Sequence, residues 1–105
     1  MWKITRPSLE RRGHDFSGDL YCTEQVMKLP PNELFGIVFE IRNLLERFGT
    51  VDHIQIFRNQ ETGRQIYCVS NCSREERFRL LNHGGISIQA FRDQVHWTMC
   101  FGEEY

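Results

Sequence analysis

Cysteine and histidine are the residue types here with the most potential chemistry, because thiolates and imidazoles bind zinc and act in catalysis. Cys68 and Cys72 form C-x-x-x-C in place of the usual zinc pattern C-x-x-C, and no second pair has zinc-knuckle spacing. Free cysteines commonly fill small apolar positions in strands. We therefore rank Cys68 and Cys72 as weak metal candidates and expect no cofactor. The residues that could complete a zinc site are scattered along the chain: Cys22, Cys100, His14, His53, His83 and His96.

Catalysis by a cysteine requires a thiol beside an imidazole. Cys100 and His96 share one face of a predicted strand, but four residues of strand span about 13 Å. Cys68 with His53, across a predicted hairpin, is the other pairing. The sequence contains no G-x-S-x-G, H-E-x-x-H, G-x-G-x-x-G or phosphate-binding P-loop motif. We therefore expect no catalytic residues and a protein that is not an enzyme.

Arginines cluster in the second half of the chain with aromatic residues among them, a combination that can stack and neutralise nucleic acid. Glu61, Glu75, Glu76 and Asp93 lie between them, and the formal net charge is −1, whereas nucleic-acid binders usually carry a basic excess. We therefore treat direct nucleic-acid binding as an alternative function and not as the first choice. A zinc-stabilised regulator is a further alternative. The cluster comprises Arg58, Arg64, Arg74, Arg77, Arg79 and Arg92, with Phe57, Tyr67 and Phe78.

One long amphipathic helix is the clearest element that could position these side chains. The Pro30–Pro31 pair precedes it, and Gly49 supplies a stop because glycine adopts the left-handed cap conformation at low cost. Ser73 and Glu76 match a capping box, which predicts a short second helix over residues 73–82. The apolar stripe of the long helix consists of Leu34, Ile37, Val38, Ile41, Leu44, Leu45 and Phe48.

Five segments rich in β-forming residues predict five strands. The second and third form one hairpin, and the fourth and fifth form another across Asp93-Gln94. Val51–Arg58 places Ile54 and Ile56 on one face. The predicted architecture is an α+β fold, in which an antiparallel sheet of about five strands packs one face against the long helix. The predicted strands span residues 20–27, 51–58, 64–71, 86–92 and 95–101.

The length of 105 residues fits one domain. Residues 1–18 lack a sustained hydrophobic period, so we expect an N-terminal arm or a loop laid over the core, followed by a single domain over residues 19–105. No segment approaches the roughly 18 apolar residues of a membrane span, and the N-terminus lacks the apolar stretch of a signal peptide. We expect a cytoplasmic protein with reduced cysteines, no membrane contact, and a free sheet edge through which a homodimer could form.

Short motifs in the region 20–105 resemble the Domain of Unknown Function 960 family in their order and spacing. They are Tyr21-x-Thr23, Leu29-Pro30 before an apolar helix, Asp52-His-Ile-Gln-Ile-Phe57, and Thr98-Met99 leading into Glu103-Glu104-Tyr105. The similar family pattern runs from R-Y-x-T through D-Y-L-Q-V-F to T-M-L-L-x-E-E-Y. Here Leu20 stands in place of the arginine, and Phe39 stands where the family has tryptophan. The family comprises small proteins of Gram-positive bacteria, often carried by plasmids, integrated elements and prophages, and has no assigned activity.

The resemblance implies a product of a mobile element, and such elements need products that blunt host defence. We therefore expect a non-enzymatic inhibitor that binds a protein partner: an anti-CRISPR protein whose target is an RNA-guided nuclease. Such a nuclease has basic channels for nucleic acid, which a patch of carboxylates could mask. The carboxylates that could supply this patch are Asp52, Glu61, Asp93, Glu103 and Glu104.

Overall fold

In a computed structural model, which describes residues 1–4 and 6–105, the chain forms an α+β fold of five strands and four helices. The strands are β1 (Trp2–Lys3), β2 (Asp19–Cys22), β3 (Ile54–Asn59), β4 (Gln65–Ser70) and β5 (His96–Phe101). The helices are α1 (Glu24–Met27), α2 (Pro31–Phe48), α3 (Arg74–His83) and α4 (Ile88–Gln94). A single 3₁₀ turn over Gly102–Glu104 follows β5. None of the described helices is long and apolar enough to cross a membrane.

The five strands form one sheet in the order β1-β3-β4-β5-β2. Neighbouring strands are antiparallel except β2, which runs parallel to β5. The register places Phe57 opposite Ile66, and Ile66 opposite Phe101. Since directly opposed residues point to the same side of a sheet, this register defines two faces.

One face of the sheet, the core face, carries the buried side chains, and the second, the open face, is largely solvent-accessible. In β5, Trp97, Met99 and Phe101 are all buried on the core face, and Cys100 on the other face is buried as well. The core face comprises Trp2, Gln55, Phe57, Asn59, Ile66, Cys68, Ser70, Trp97, Met99, Phe101, Leu20 and Cys22. The open face comprises Lys3, Ile54, Ile56, Arg58, Gln65, Tyr67, Val69, His96, Thr98, Cys100, Asp19 and Tyr21.

The long helix α2 covers the core face, which confirms its predicted position. Ile37, Ile41 and Leu44 are buried and belong to the same hydrophobic cluster as the core-face residues. Pro31 occupies the first turn, and the backbone N–H of Gly49 (φ 77°) donates to the carbonyl of Leu45 at 2.7 Å. The predicted start and stop signals are therefore those that the helix uses.

The N-terminal residues lie over the core and contribute a strand to the sheet. Phe16 is fully buried, and its ring meets that of Trp97 edge-on at 5.5 Å. The Trp2 indole nitrogen donates to the Glu33 carboxylate at 2.9 Å. His14 and Val51 exchange two backbone hydrogen bonds, of 2.9 and 2.8 Å. The described part of residues 1–18 therefore packs against the core.

The predicted strand over residues 20–27 is wrong in its second half. The strand ends at Cys22, and Thr23 begins helix α1 by accepting a hydrogen bond from the Val26 N–H at 3.4 Å. The β-forming residues Val26 and Met27 lie in this helical turn. A local side-chain cap here overrides β propensity, which depends strongly on context.

The predicted strand over residues 86–92 is also wrong, because this segment contains helix α4. Ser87 caps the helix by accepting from the Ala90 N–H at 3.1 Å. Short apolar runs do not by themselves separate helix from strand. The second predicted hairpin is therefore absent, and β5 pairs with β4 and β2. The predicted second helix is present as α3, with both hydrogen bonds of the Ser73–Glu76 capping box at 3.1 Å.

Replacing Phe16 by alanine tests whether the N-terminal residues belong to the core. We expect Phe16→Ala to lower the free energy of unfolding by about 3–5 kcal/mol, because it leaves a cavity beside Trp97. The matched control Phe78→Ala changes a phenylalanine that is 51% exposed on α3 and should cost less than about 1 kcal/mol. Urea denaturation measures both. Equal losses in the two variants would contradict the packing of Phe16.

Candidate functional site

The five predicted partner-binding carboxylates lie at opposite ends of the sheet. Strands β3 and β5 run in the same direction because both are antiparallel to β4. Asp52 and Asp93 precede these strands, whereas Glu61, Glu103 and Glu104 follow them. A six-residue strand spans about 20 Å. The structure therefore does not bring the five carboxylates together in one patch.

Asp52 is buried, and its carboxylate is engaged within the chain. It accepts hydrogen bonds from the Ser8 hydroxyl (3.0 Å), the Arg11 backbone N–H (3.2 Å), and the backbone and Nδ1 nitrogens of His53 (both 2.6 Å). Burial by itself raises the pKa of Asp52, but the hydrogen bonds from His53, Ser8 and Arg11 lower it on balance. The role of Asp52 in this structure is to hold residues 8–11 against the start of β3.

Three of the other four carboxylates also have partners within the chain. Glu103 pairs with Arg64 at 2.6 Å, and this ion pair lowers the pKa of Glu103. Glu104 accepts from the Thr23 hydroxyl at 2.8 Å and from the Phe101 N–H at 2.9 Å. Asp93 accepts from the Gln89 amide at 2.7 Å. Glu61 is exposed in the turn between β3 and β4.

Of the two cysteines singled out as metal candidates, Cys68 lies within β4 and Cys72 lies beyond its end. Cys68 is fully buried on the core face, and Cys72 is buried beyond the strand. Burial raises the pKa of both thiols, which disfavours the thiolate that binds metal. Across residues 1–4 and 6–105, no three His, Cys, Asp or Glu side chains are grouped so as to hold a metal ion.

A polar cluster that the sequence analysis missed joins the N-terminal residues to the sheet. The His14 Nδ1 atom lies 2.9 Å from the Ser70 hydroxyl, and the His14 and His53 rings are 5.8 Å apart. Burial, and then the neighbouring His53 imidazole, lower the pKa of His14. Ser70 is only 4% exposed, and its hydroxyl donates to the Cys72 carbonyl at 3.2 Å. The serine and histidine have the spacing of a nucleophile and base, but the buried hydroxyl is not accessible to a substrate.

The predicted arginine cluster is divided among local ion pairs. Of the six arginines, only Arg58 forms no ion pair with a described residue. The five pairs are Arg64–Glu103, Arg74–Asp15, Arg77–Asp15, Arg79–Glu75 and Arg92–Asp19, at 2.6 to 3.2 Å. The aromatic residues are dispersed as well, with Phe57 in the core, Tyr67 on the open face and Phe78 on α3.

The open face carries an apolar centre that is accessible in part. Ile56 is 40% exposed and Tyr21, on the edge strand β2, is 45% exposed, whereas Tyr67, Val69 and Thr98 between them are half-buried and Cys100 is buried. One row across the strands is Ile54, Val69, Thr98 and Tyr21, and the next row is Ile56, Tyr67 and Cys100. The ring of Tyr105 lies 5.2 Å from that of Tyr67, at the end of the face where the C-terminal turn packs.

Charged and polar side chains border this apolar centre at both ends. Lys3 and Arg58 lie side by side at one end, and neither forms an ion pair with a residue that the structure describes. His96 lies at the other end, where its ring contacts Tyr21 at 5.0 Å. An apolar centre inside a polar rim is the usual composition of a protein-binding surface.

Comparisons with models of protein families, with curated proteins and with solved structures found no match for this chain. The likeness to the Domain of Unknown Function 960 family therefore rests on the motifs quoted above. Because one fold serves many functions, the function has to be argued from the surfaces and side chains of the site itself.

Replacing Asp52 by asparagine tests the structural role of its charge. Because the pKa of Asp52 is below its ordinary value of 3.8 in the folded protein, its ionised form stabilises the fold above that pH. This stabilisation is lost as the pH falls through the lower folded-state pKa. We expect Asp52→Asn to lower the free energy of unfolding by about 1–3 kcal/mol at pH 7. The difference from the parent protein should shrink at about pH 3.

Urea denaturation at the two pH values measures this difference, with the exposed Asp93→Asn as the matched control. A destabilisation of Asp52→Asn that is the same at both pH values would contradict the assigned role.

Proposed function

We propose that this protein acts by binding another protein through its open face, without catalysing a reaction. The observation that carries the proposal is the exposure of Ile56 on β3 and of Tyr21 on the edge strand β2, both on the sheet face opposite the buried core. Apolar side chains of this size gain free energy when a partner removes them from water, at about 25 cal/mol per Å² of apolar surface. A surface of this kind on a small domain favours a binding role.

The rigidity of the sheet favours recognition by this face. Side chains on paired strands are already held in place, so binding requires less ordering than it would on a loop. Tyrosine is enriched at protein interfaces because it combines an apolar ring with a polar hydroxyl. Tyr21, Tyr67 and Tyr105 supply three such rings on or beside the open face.

The contact surface that we propose differs from the carboxylate patch expected from the sequence. Asp52 is buried, and the other carboxylates lie at two ends of the sheet. A patch of these five carboxylates that masks a basic channel therefore has no support in their arrangement. The apolar open face takes its place in the proposal.

The narrower proposal concerns the partner, which we infer to be an RNA-guided nuclease of a Gram-positive host. The resemblance to a family carried by prophages and plasmids supports this choice. The protein would then act in the cytoplasm as an inhibitor that occupies a surface of the nuclease.

Nucleic-acid binding is the second candidate function, and one observation favours it. Lys3 and Arg58 lie side by side, and Arg58 is one row from Tyr67 on the neighbouring strand, which would allow a base to stack beside a neutralised phosphate. The other arginines of the predicted cluster are already paired with carboxylates. Because this pairing reduces the field available to attract phosphates, we rank a protein partner first.

A charge placed at the centre of the open face tests the proposal. We expect the parent protein to co-elute with a guide-loaded RNA-guided nuclease and to inhibit its cleavage of DNA. Ile56→Asp should lower binding and inhibition by about ten-fold or more, because a desolvated, unpaired carboxylate opposes association. Phe78→Asp, at an exposed phenylalanine of α3, whose Arg74 and Arg77 pair with Asp15 and not with an open-face residue, is the matched control and should change neither.

The possible results separate the proposals. Failure of the nuclease to bind would contradict the narrower proposal, and unchanged binding of Ile56→Asp would contradict the use of the open face. Retention of the protein on single-stranded DNA or RNA would favour the second candidate function if it weakens with salt. That retention should also depend on Lys3 and Arg58.

A further inference from the structure

Two histidines that are distant in the chain, His14 and His53, lie side by side where the N-terminal residues meet the sheet. Their ring centres are 5.8 Å apart, and the two ring planes are inclined by 50°. Two imidazoles that bind one zinc ion at about 2.0–2.1 Å, in the tetrahedral geometry that zinc prefers, have ring centres about 5–6 Å apart. The separation of this pair is therefore compatible with one shared metal ion.

The hydrogen bonds of Ser70 determine which nitrogen of His14 carries the proton. The Ser70 hydroxyl donates its single hydrogen to the Cys72 carbonyl at 3.2 Å, so its oxygen accepts from the Nδ1–H of His14 at 2.9 Å. Burial, and then the nearby His53, lower the pKa of His14, so the neutral ring predominates at pH 7. A neutral imidazole carries one proton, and the Nε2 atom of His14 therefore presents a lone pair, which is the form that binds metal.

The ring of His53 is oriented in the same way by a carboxylate. Its Nδ1 atom lies 2.6 Å from the carboxylate of Asp52, a side chain that is only 10% exposed. A carboxylate accepts from Nδ1–H, which leaves Nε2 of the neutral His53 ring unprotonated. Most histidines that bind metal donate their other N–H to such a partner, which fixes the ring and makes the ligating nitrogen more basic. Asp52 and Ser70 supply these partners for the two rings.

Both Nε2 atoms are free and open to solvent. No described residue forms a hydrogen bond with either atom. Among the described residues, the Nδ1 atom of His96 is the one fully buried side-chain nitrogen or oxygen without a partner, so the two Nε2 atoms are not sealed in the protein. The His53 side chain is 40% exposed. No third described His, Cys, Asp or Glu side chain joins the pair, and water can occupy the remaining positions, as in open zinc sites.

The charges that surround the pair favour a cation. Glu76, Asp52 and Asp15 each favour a positive charge at the first ring, that of His14. The charge of Asp15 is offset by two arginines of α3, at 2.7 and 3.2 Å. Asp52 and Glu76 form no ion pair with a lysine or arginine that the structure describes. Their charges therefore remain available to stabilise a bound cation.

We propose that His14 and His53 bind a divalent transition-metal ion of the kind that prefers imidazole ligands, such as zinc, through their two Nε2 atoms. This site differs from the cysteine site that the sequence weakly indicated, because it uses neither Cys68 nor Cys72. His14 belongs to the N-terminal residues and His53 directly precedes β3. A bound ion would therefore cross-link the N-terminal residues to the sheet. The site does not depend on the function proposed for the open face.

Isothermal titration calorimetry of the full chain with Zn²⁺ alone, after treatment with a chelator, measures the binding. We expect one Zn²⁺ per chain and a rise in the thermal denaturation midpoint, since the ion binds the folded state. Mg²⁺ should do neither, because it prefers oxygen ligands. His14→Asn and His53→Asn should each weaken Zn²⁺ binding by about ten-fold or more. His83→Asn, at an exposed histidine of α3, is the matched control and should leave it unchanged.

Because both variants also remove an internal hydrogen bond, a measurement on the parent protein accompanies them. Nuclear magnetic resonance of the histidine rings should show Zn²⁺ shifting the signals of His14 and His53 and leaving those of His83 unchanged. Absence of Zn²⁺ binding would overturn the proposal. Zn²⁺ binding that both histidine variants retain, or that leaves the His14 and His53 signals unshifted, would overturn it as well.

Discussion

The width of the sheet is the constraint on which the rest of this structure depends. Four spacings of about 4.8 Å separate the outer strands, whereas a helix with its side chains is only about 10–12 Å wide. Helix α2 alone therefore cannot cover the core face. Phe16 from the N-terminal residues and Val26 from α1 complete the cover. None of the four α-helices remains to cover the second face, and Ile56 and Tyr21 stay accessible there.

The polar residues that most resemble a reactive site hold the N-terminal part of this cover on the sheet. Asp52 binds the Ser8 hydroxyl and the Arg11 N–H, and the Gln55 amide donates to the Ser8 carbonyl at 2.8 Å. The His14 side chain contacts Ser70, and its backbone forms an isolated antiparallel β-bridge with Val51. These contacts attach the N-terminal residues to the start of β3 and the end of β4. A histidine, a serine and an aspartate that lie close together are thus explained by packing, since buried polar groups need partners.

The sequence predicted those elements whose boundaries depend on residues close in the chain. The apolar stripe of α2, its glycine stop and the capping box of α3 all act within one or two helical turns, so the sequence pattern was sufficient to predict these two helices. The prediction for residues 86–92 was wrong because Ile-Ser-Ile-Gln-Ala alternates like a strand, whereas the Ser87 cap starts a helix there. The choice of buried face in β3 could not be predicted. Two isoleucines face outward and Gln55 faces inward, because Gln55 binds Ser8, which is 47 residues away.

Chemical-shift mapping by nuclear magnetic resonance tests most directly the claim that the open face is the binding surface. The labelled protein would be titrated with the guide-loaded nuclease, or with whichever macromolecule it retains. We expect the backbone signals of Tyr21, Ile56 and Thr98 to shift or broaden, while those of α3 remain unchanged. Changes confined to the turns that carry Glu61 and Glu103, with the open face unaffected, would contradict it.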